Sequence, residues 1–490
     1  MNACLDGTAA AVQGSARVPL VVDLDGTLIR SDLLHESLVR LAFSQPAVLA
    51  SMPGWLLRGK AHFKAQVASR VSPNAATLPF EPALVDWIRG ERSGGRTVVL
   101  CTASDERHAR AVALETGLFD HVMASDGQVN LAGERKAGAL VARYGEKGFD
   151  YAGNSEADLP VWRHAQRAVV VGASSRVRAA AHRVSSVERE FPAPAVARFR
   201  VWAQALRTRQ WVKNLLMFLP LLGAHEFSNL PLLISVATAF LALSLCASSV
   251  YLINDMVDIE SDRLHPRKRS RPFAAGLLQL TQGVVASIAL VMASFVLALF
   301  GVNPEFTAWL AVYLALTTCY SFWLKRKILV DSLVLAVLYT LRLLAGAAAA
   351  GIEAGFWLLA FSMFLFLSLA LVKRYAELDE TFRRGRDRTP GRDYVVGDLP
   401  LVQTLGIVSG FCAVLVLALY INGDTVARLY PHQQMIWFTV PVLLYWVSRI
   451  WLKAHRGELE DDPIVFALSD NVSRATIVLF FAALLLAAVE

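Results

Sequence analysis

The sequence predicts two domains of different character, a soluble α/β domain followed by an all-α polytopic membrane domain of about nine transmembrane helices. Three observations predict this. Of the 490 residues, 55% are hydrophobic, more than an ordinary soluble protein carries. The excess begins at Trp211, after which apolar runs of membrane length recur, whereas the chain up to about Ala195 has soluble-domain composition. The early apolar runs are short and end in acidic or hydroxyl-bearing loops, as buried strands do. The domains are therefore expected at 1–195 and 196–490.

In the first domain, "VVDLDGTLIRSD" places Asp23 and Asp25 two residues apart just after a strand, with Gly26 and Thr27 forming the turn that exposes them. Asp23 can attack a phosphorus while Asp25 handles the leaving-group proton. "TVVLCTAS" is a second buried strand ending in Thr102, a phosphate-binding hydroxyl, and Lys136 precedes a third, "GFDYAGNSEAD". This order resembles the haloacid dehalogenase superfamily of phosphohydrolases across roughly residues 18–175. The resemblance implies a Rossmann-like fold, with motifs at Asp23 and Asp25, Thr102, Lys136, and the loop Gly153 to Asp158. It also implies a Mg²⁺ site of Asp23, Asp25, Asn154 and Asp158, and a helical cap over about 30–90. Asn154 departs from the superfamily's usual Asp; its carbonyl oxygen still ligates Mg²⁺, but with one charge fewer. Residual phosphatase activity and an inactive regulatory domain both remain open. The apolar cap segment "PAVLASMPGWLLRG" is expected to pack on its own domain, with the membrane surface as the alternative.

The start of the chain has no cationic stretch leading into an apolar core, so no cleavable signal peptide is expected. Five scattered cysteines suggest neither a disulfide framework nor a zinc site.

In the second domain the spans lie near 211–224, 230–253, 280–301, 306–323, 329–350, 355–372, 401–421, 433–452 and 474–489. Basic residues cluster in alternate loops: Arg263 to Arg271, Lys325 to Lys327, Lys373 to Arg392, and Lys453 to Arg456. That alternation assigns the net charge of +7 to membrane orientation rather than nucleic-acid binding. It puts these loops and the first domain on the cytoplasmic side of an inner membrane.

The segment "NDMVDIESDRLHPRKRSRP" is the most informative. On a continuous helix Asn254, Asp258 and Asp262 recur at i, i+4 and i+8 with Asp255 beside them, while Glu260 points away. Carboxylates this close repel unless divalent cations sit among them, and oxygen ligands with a phosphorylated substrate suit Mg²⁺. Arg267, Lys268, Arg269 and Arg271 are placed to hold phosphate oxygens.

This segment resembles the first Asp-rich motif, NDxxDxxxD, of the UbiA superfamily of intramembrane prenyltransferases, across roughly 198–490. The resemblance implies that Asn254, Asp255, Asp258 and Asp262 bind Mg²⁺ and a donor diphosphate. "LRTRQWVKNLLMFLPLL", "FLSLALVKRYAEL" and "DDPIVFALSDNVSRA" are similar to the decaprenyl-phosphate phosphoribosyltransferase branch. That implies a phosphoribosyl diphosphate donor and a polyprenyl phosphate acceptor held at the bilayer. The implied substrate-binding residues are Lys213, Asn254, Arg267, Lys268, Arg271, Tyr320, Lys325, Arg342, Lys373 and Arg374. The second Asp-rich motif of aromatic prenyltransferases is absent, which weighs against the alternative of prenyl transfer to an aromatic or other small acceptor. Asp331 and Arg342 fall nearly on one face of the fifth span, so an ion pair between them and substrate contact both stand. Nothing in the sequence specifies an oligomeric state.

Overall fold

The computed structural model describes residues 17–389, 391–423, 426, 430–459 and 463–488. Cys4 and the acids Asp461 and Asp462 lie outside them. The chain forms two compact units, one from Met1–Ala205 with Asp255–Val285, the other from Leu206–Asn254 with Ala286–Glu490.

The first unit is built on a six-stranded, all-parallel sheet of order β3-β2-β1-β4-β5-β6. The strands are β1 (Leu20–Val22), β2 (Val98–Asp105), β3 (His121–Ser125), β4 (Asp150–Gly153), β5 (Arg167–Val171) and β6 (Ser186–Phe191). Successive side chains of β1 and β2 enter opposite cores. Leu20, Val22, Val98 and Leu100 lie in one, Val21, Val99 and Cys101 in the other. Three strands were expected here; β3, at the edge and half-exposed, carries a weak apolar signal.

Between β1 and β2 run α1 (Leu33–Ser44), α2 (Met52–Leu57), α3 (Lys60–Ala68) and α4 (Pro82–Ser93). α4 sends Leu84, Val85 and Ile88 into the sheet core, so the separate helical layer ends before it. That layer has its own small core of Leu41, Phe63, Val67 and Val71. Val48, Met52 and Trp55 of the apolar cap segment pack against it, while Leu56 and Leu57 stay exposed. α5 (Glu106–Thr116), α6 (Glu134–Tyr144), α7 (Leu159–His164) and α8 (Ser175–Val184) complete the α/β layers.

Among the described residues seven helices are long and apolar enough to cross a membrane. They are Leu230–Val257, Leu280–Gly301, Val330–Ala350, Phe356–Arg383, Val396–Ile421, Gln433–His455 and Asn471–Ala488, so the chain is a multi-pass membrane protein. Of the nine expected spans, that near 306–323 is the 19-residue helix Pro304–Phe322. That near 211–224 is a 3₁₀ run, Thr208–Phe218, followed by the short helix Leu219–Gly223, with Pro220 at its first turn. A Cβ on Gly346 would lie 2.1 Å from the Met217 carbonyl oxygen, so only glycine lets this run approach Val330–Ala350 so closely.

The continuous helical stripe predicted from Asn254 to Asp262 is broken, because helix Leu230–Val257 stops within it. Asp258 leaves helical geometry (φ −87°, ψ 11°), and a separate helix, Ile259–Leu264, follows. Asp262 still reaches back, its N–H donating to the Asp258 carbonyl at 2.9 Å.

Candidate phosphate site and candidate substrate site

In a parallel sheet of this order, loops at the carboxyl ends of the central strands open a crevice where the direction of winding reverses. The expected phosphatase residues come from the ends of β1, β2 and β4 and from α6, and they surround a cavity of about 320 Å³. Lys136 is 4% exposed, and its Nζ donates to Asp23 Oδ1 at 2.7 Å and to the Tyr151 hydroxyl at 2.8 Å. Burial alone would lower the Lys136 ammonium, but Asp23 and Asp158 beside it hold it above its ordinary value. Thr27 Oγ1 donates to Asp23 Oδ2 at 3.2 Å.

Asp25 accepts from Leu33 N at 2.9 Å and from Ser104 Oγ at 2.5 Å. Burial pushes both acids up, Asp23 to about 6 against the pull of Lys136, and Asp25 to about 7 with help from Asp32. Thr102 is fully buried and accepts from Ser104 N at 3.0 Å, which fixes the hydroxyl at the pocket edge.

Asp158 stands differently from a free ligand. Its Oδ2 accepts from Asn154 N, Ser155 N and Ser155 Oγ, each at 3.0 Å, and its Oδ1 accepts from Tyr151 at 2.8 Å. It shapes the loop that carries Asn154. The Asn154 amide packs on Gly26, where an added Cβ would lie 2.2 Å from Nδ2, and Gly26 has φ +76°. Asn154 is thereby brought beside the Asp23–Asp25 turn. Among the described residues no three His, Cys, Asp or Glu side chains are grouped to hold a metal ion. The oxygen donors of Asp23, Asp25 and Asn154 nonetheless form a hard set that fits Mg²⁺.

Sequence reasoning missed Lys64, Ser104 and Tyr151. Lys64 rises from α3 to donate to the Ala103 carbonyl at 2.7 Å and to Asn130 Oδ1 at 2.9 Å, on the wall of the same cavity. No local pattern marks it, because the fold alone brings α3 over β2.

In the Asp-rich segment, one nitrogen of Arg271 lies 3.1 Å from Asp255 Oδ1 and 2.7 Å from Asp262 Oδ2. Two carboxylates therefore converge on one cationic group, and one or two carboxylates together with substrate phosphate are ligands that Mg²⁺ accepts. Burial raises Asp262 and Arg271 opposes that rise. Asp258 is half-buried, and Arg267 and Lys268 are exposed.

In the second unit, Asn254 Nδ2 donates to Ser321 Oγ at 3.0 Å. Lys213 is 8% exposed and lies 5.7 Å from the Tyr339 ring centre. The next residue, Asn214, receives Arg342 Nε at 2.9 Å, and Arg342 also reaches the Tyr313 hydroxyl at 3.3 Å. The Asp331–Arg342 ion pair, one of the two alternatives left by the sequence, is not formed. Eleven residues along a helix is about 16 Å of rise, so sharing a face does not bring two side chains into contact. Asp331 instead faces Arg374 at 2.9 Å and Arg392 at 3.0 Å, and accepts from the Tyr394 hydroxyl at 2.7 Å. Glu377 joins this cluster through Arg374 and, at 3.3 Å, Arg392. Tyr320 interacts with Arg392. Lys325 and Lys373 are half-buried, in the 3₁₀ turn Leu324–Arg326 and the helix Phe356–Arg383. The structure thus groups Tyr320 and Arg374 around Asp331, and Lys213 and Arg342 around Tyr339.

The sequence profile of the UbiA prenyltransferase family matches residues 215–470. An uncharacterized protein of Sinorhizobium fredii, y4nM, is 37% identical over 463 residues, covering 93% of this chain and 88% of that protein. Nodulation protein NoeC of Azorhizobium caulinodans is 34% identical over 282 residues, 56% of this chain and 89% of that one. The decaprenyl-phosphate phosphoribosyltransferase of Mycobacterium tuberculosis is 34% identical over 279 residues, 55% of this chain and 88% of its own length. On the strength of that profile match, which covers more than half of the residues, the chain belongs to the UbiA prenyltransferase family, as a transferase.

Proposed function

We propose that this chain transfers a phosphoribosyl group from phosphoribosyl diphosphate to a polyprenyl phosphate, and that its N-terminal unit then removes the 5-phosphate of the lipid-linked sugar. The observation that carries the first step is the convergence of Asp255 and Asp262 on the Arg271 nitrogen. The likeness to a decaprenyl-phosphate phosphoribosyltransferase supports the choice of donor and acceptor.

When bound by Asn254, Asp255, Asp258 and Asp262, Mg²⁺ would neutralise charge on the donor diphosphate. Arg267, Lys268 and Arg271 hold the remaining phosphate oxygens. A lipid phosphate oxygen attacks C1 of the sugar, the new C1–O bond forms, and diphosphate leaves with the electron pair of the broken bond. No protein nucleophile is required; the chain supplies position and charge. Lys213, Tyr320, Lys325, Arg342, Lys373 and Arg374 orient the two phosphorylated substrates.

In the N-terminal unit, Asp23 attacks phosphorus, the P–O bond to the C5 oxygen breaks as Asp25 protonates that oxygen, and water then displaces Asp23 to release phosphate. Lys136, Thr102 and Lys64 hold the phosphoryl oxygens, and Mg²⁺ held by Asp23, Asp25 and Asn154 would balance their charge. Asp158 keeps the Asn154 loop in shape. Nine crossings, cytoplasmic active sites and an inner-membrane location complete the reading, supported by the alternation of basic loops.

The test incubates membranes containing the protein with phosphoribosyl diphosphate labelled in the ribose, a polyprenyl phosphate and Mg²⁺. Label is expected in the lipid extract, and Asp255→Asn and Asp262→Asn are expected to abolish it. Absence of lipid-linked ribose with the unaltered protein overturns the proposal.

A further inference from the structure

The cavity that holds Asp23, Asp25 and Lys136 is also lined by Ile259, within the Asp-rich stretch, and by Phe273, Leu278 and Leu280, with Gln279 between the last two, all in the same compact unit. The four apolar residues are 8% exposed or less. Three separate contacts fix this segment to the phosphatase fold. Arg263 meets Glu36 of α1 through two hydrogen bonds, at 2.6 and 3.0 Å, and donates from Nε to the Ala274 carbonyl at 3.1 Å. Glu260 Oε1 accepts from Arg40 at 2.6 Å and from Asn74 N at 3.0 Å. Gly276, at φ +67°, lies so near Arg30 that a Cβ there would come 2.5 Å from the Arg30 Cβ.

A pocket for a small, fully hydrated phosphate ester gains nothing from an apolar side. Polar groups converging on one wall with apolar residues on the other suit a ligand with a charged end and an apolar end. We propose that Ile259, Phe273, Leu278 and Leu280 form a specificity wall of the phosphatase pocket, selecting phosphate esters whose far end carries an apolar chain. The inference rests on the phosphatase reading of Asp23 and Asp25. It gives the segment that holds Asp255 and Asp262 a second task, which is to admit only a lipid-linked product to the second reaction. Hydrolysis itself is unchanged: the P–O bond to the sugar C5 oxygen breaks, that oxygen takes a proton, and water ends on phosphorus.

The full-length protein with Mg²⁺ is assayed for phosphate release from ribose 5-phosphate and from 1-O-decyl ribofuranoside 5-phosphate, the latter below its micelle concentration. The two share one scissile bond; the decyl ester adds the chain and locks the furanose ring. The unaltered protein is expected to favour the decyl ester in kcat/KM by about tenfold, the scale set by apolar contacts in a specificity pocket. Ile259→Ser and Leu278→Ser are each expected to lower that ratio by about threefold or more. A ratio does not depend on the fraction of protein folded, so partial misfolding does not mimic the result. A preference below about threefold in the unaltered protein, or a smaller fall in both variants, overturns the wall while leaving the phosphatase reading intact. Failure to hydrolyse either ester overturns the phosphatase reading, and the wall falls with it.

Discussion

Glu36 and Arg263 lie 227 residues apart in the chain and meet in a buried, two-pronged ion pair at 2.6 and 3.0 Å, with side chains 3% and 5% exposed. Removing one partner from such a pair leaves a buried charge without its complement, a cost of about 3 kcal/mol. Glu36→Ala and Arg263→Met are therefore each expected to lower the thermal transition of the first unit. The double variant Glu36→Leu with Arg263→Met is expected to recover most of the loss, since two apolar groups bury well together. Near-additive single losses would show that the pair is not coupled.

The Lys136 ammonium is the cation closest to the proposed nucleophile, 2.7 Å from Asp23 Oδ1. Lys136→Met is expected to reduce phosphate-ester turnover by about 100-fold or more, the scale of losing one fixed charge donor in a buried site. Lys136→Arg is expected to rescue little, because a planar fork cannot replace a point charge between Asp23 and Tyr151. Turnover within about tenfold of the unaltered protein would remove Lys136 from the chemistry.

Asn154 supplies one neutral oxygen where an aspartate would supply a charged one. Asn154→Asp is nearly isosteric on Gly26 and is expected to lower the Mg²⁺ concentration for half-maximal hydrolysis by about tenfold. The measurement is a Mg²⁺ titration of phosphate release. If neither form hydrolyses any phosphate ester, the regulatory reading of this unit takes over.

His108 of α5 is buried, with Nε2 3.0 Å from the Val71 carbonyl. Because that partner is an acceptor, Nε2 carries the proton. Burial pushes the imidazole below its ordinary 6.5, against smaller upward pulls from Val71 and Asp105. The folded state thus binds this proton less readily than the unfolded chain. Its contribution to stability is complete above pH 6.5 and declines as pH falls through that value toward the lower folded pKa. His108→Gln keeps a donor for Val71 and removes the titration. Melting temperatures of the two forms are expected to diverge as pH falls below 6.5, with the unaltered protein losing more. Parallel curves would refute the assignment.

Much of the phosphate site was legible because its residues sit at strand ends, where apolar runs break into Asp, Thr and Gly. Asp23, Asp25 and Thr102 need only that local signal, whereas Lys136 lies on α6 and was placed by its order along the chain. Lys64 and the wall from Ile259 to Leu280 did not show, since their place depends on packing between segments far apart in sequence. Helical periodicity placed Asp255 and Asp262 near one another but could not foresee the break at Asp258, which leaves helical geometry between the two helices. It likewise put Asp331 and Arg342 on one face without registering their axial distance. Asn214 carried a usable signal, a polar residue adjoining Lys213 at the entry to an apolar run.

Asp331 is fully buried and faces two guanidinium groups, Arg374 and Arg392, and the Tyr394 hydroxyl. Glu377 shares both arginines but is 32% exposed. Charge is worth most where water is excluded, so the two acids are not equivalent despite common partners. Asp331→Asn leaves buried Arg374 with only a part-exposed counter-charge and is expected to cost about 3 kcal/mol, read as a lower melting temperature in detergent. Glu377→Gln is expected to cost about 1 kcal/mol or less, because solvent screens the charge it removes. The transferase assay separates structure from function in the same pair. If the arginines bind substrate phosphate, Glu377→Gln is expected to strengthen donor binding by freeing part of their charge, lowering KM with little change in kcat. An Asp331→Asn variant as stable as Glu377→Gln would mean that the cluster is open to water and that Asp331 is not the anchor of the two arginines.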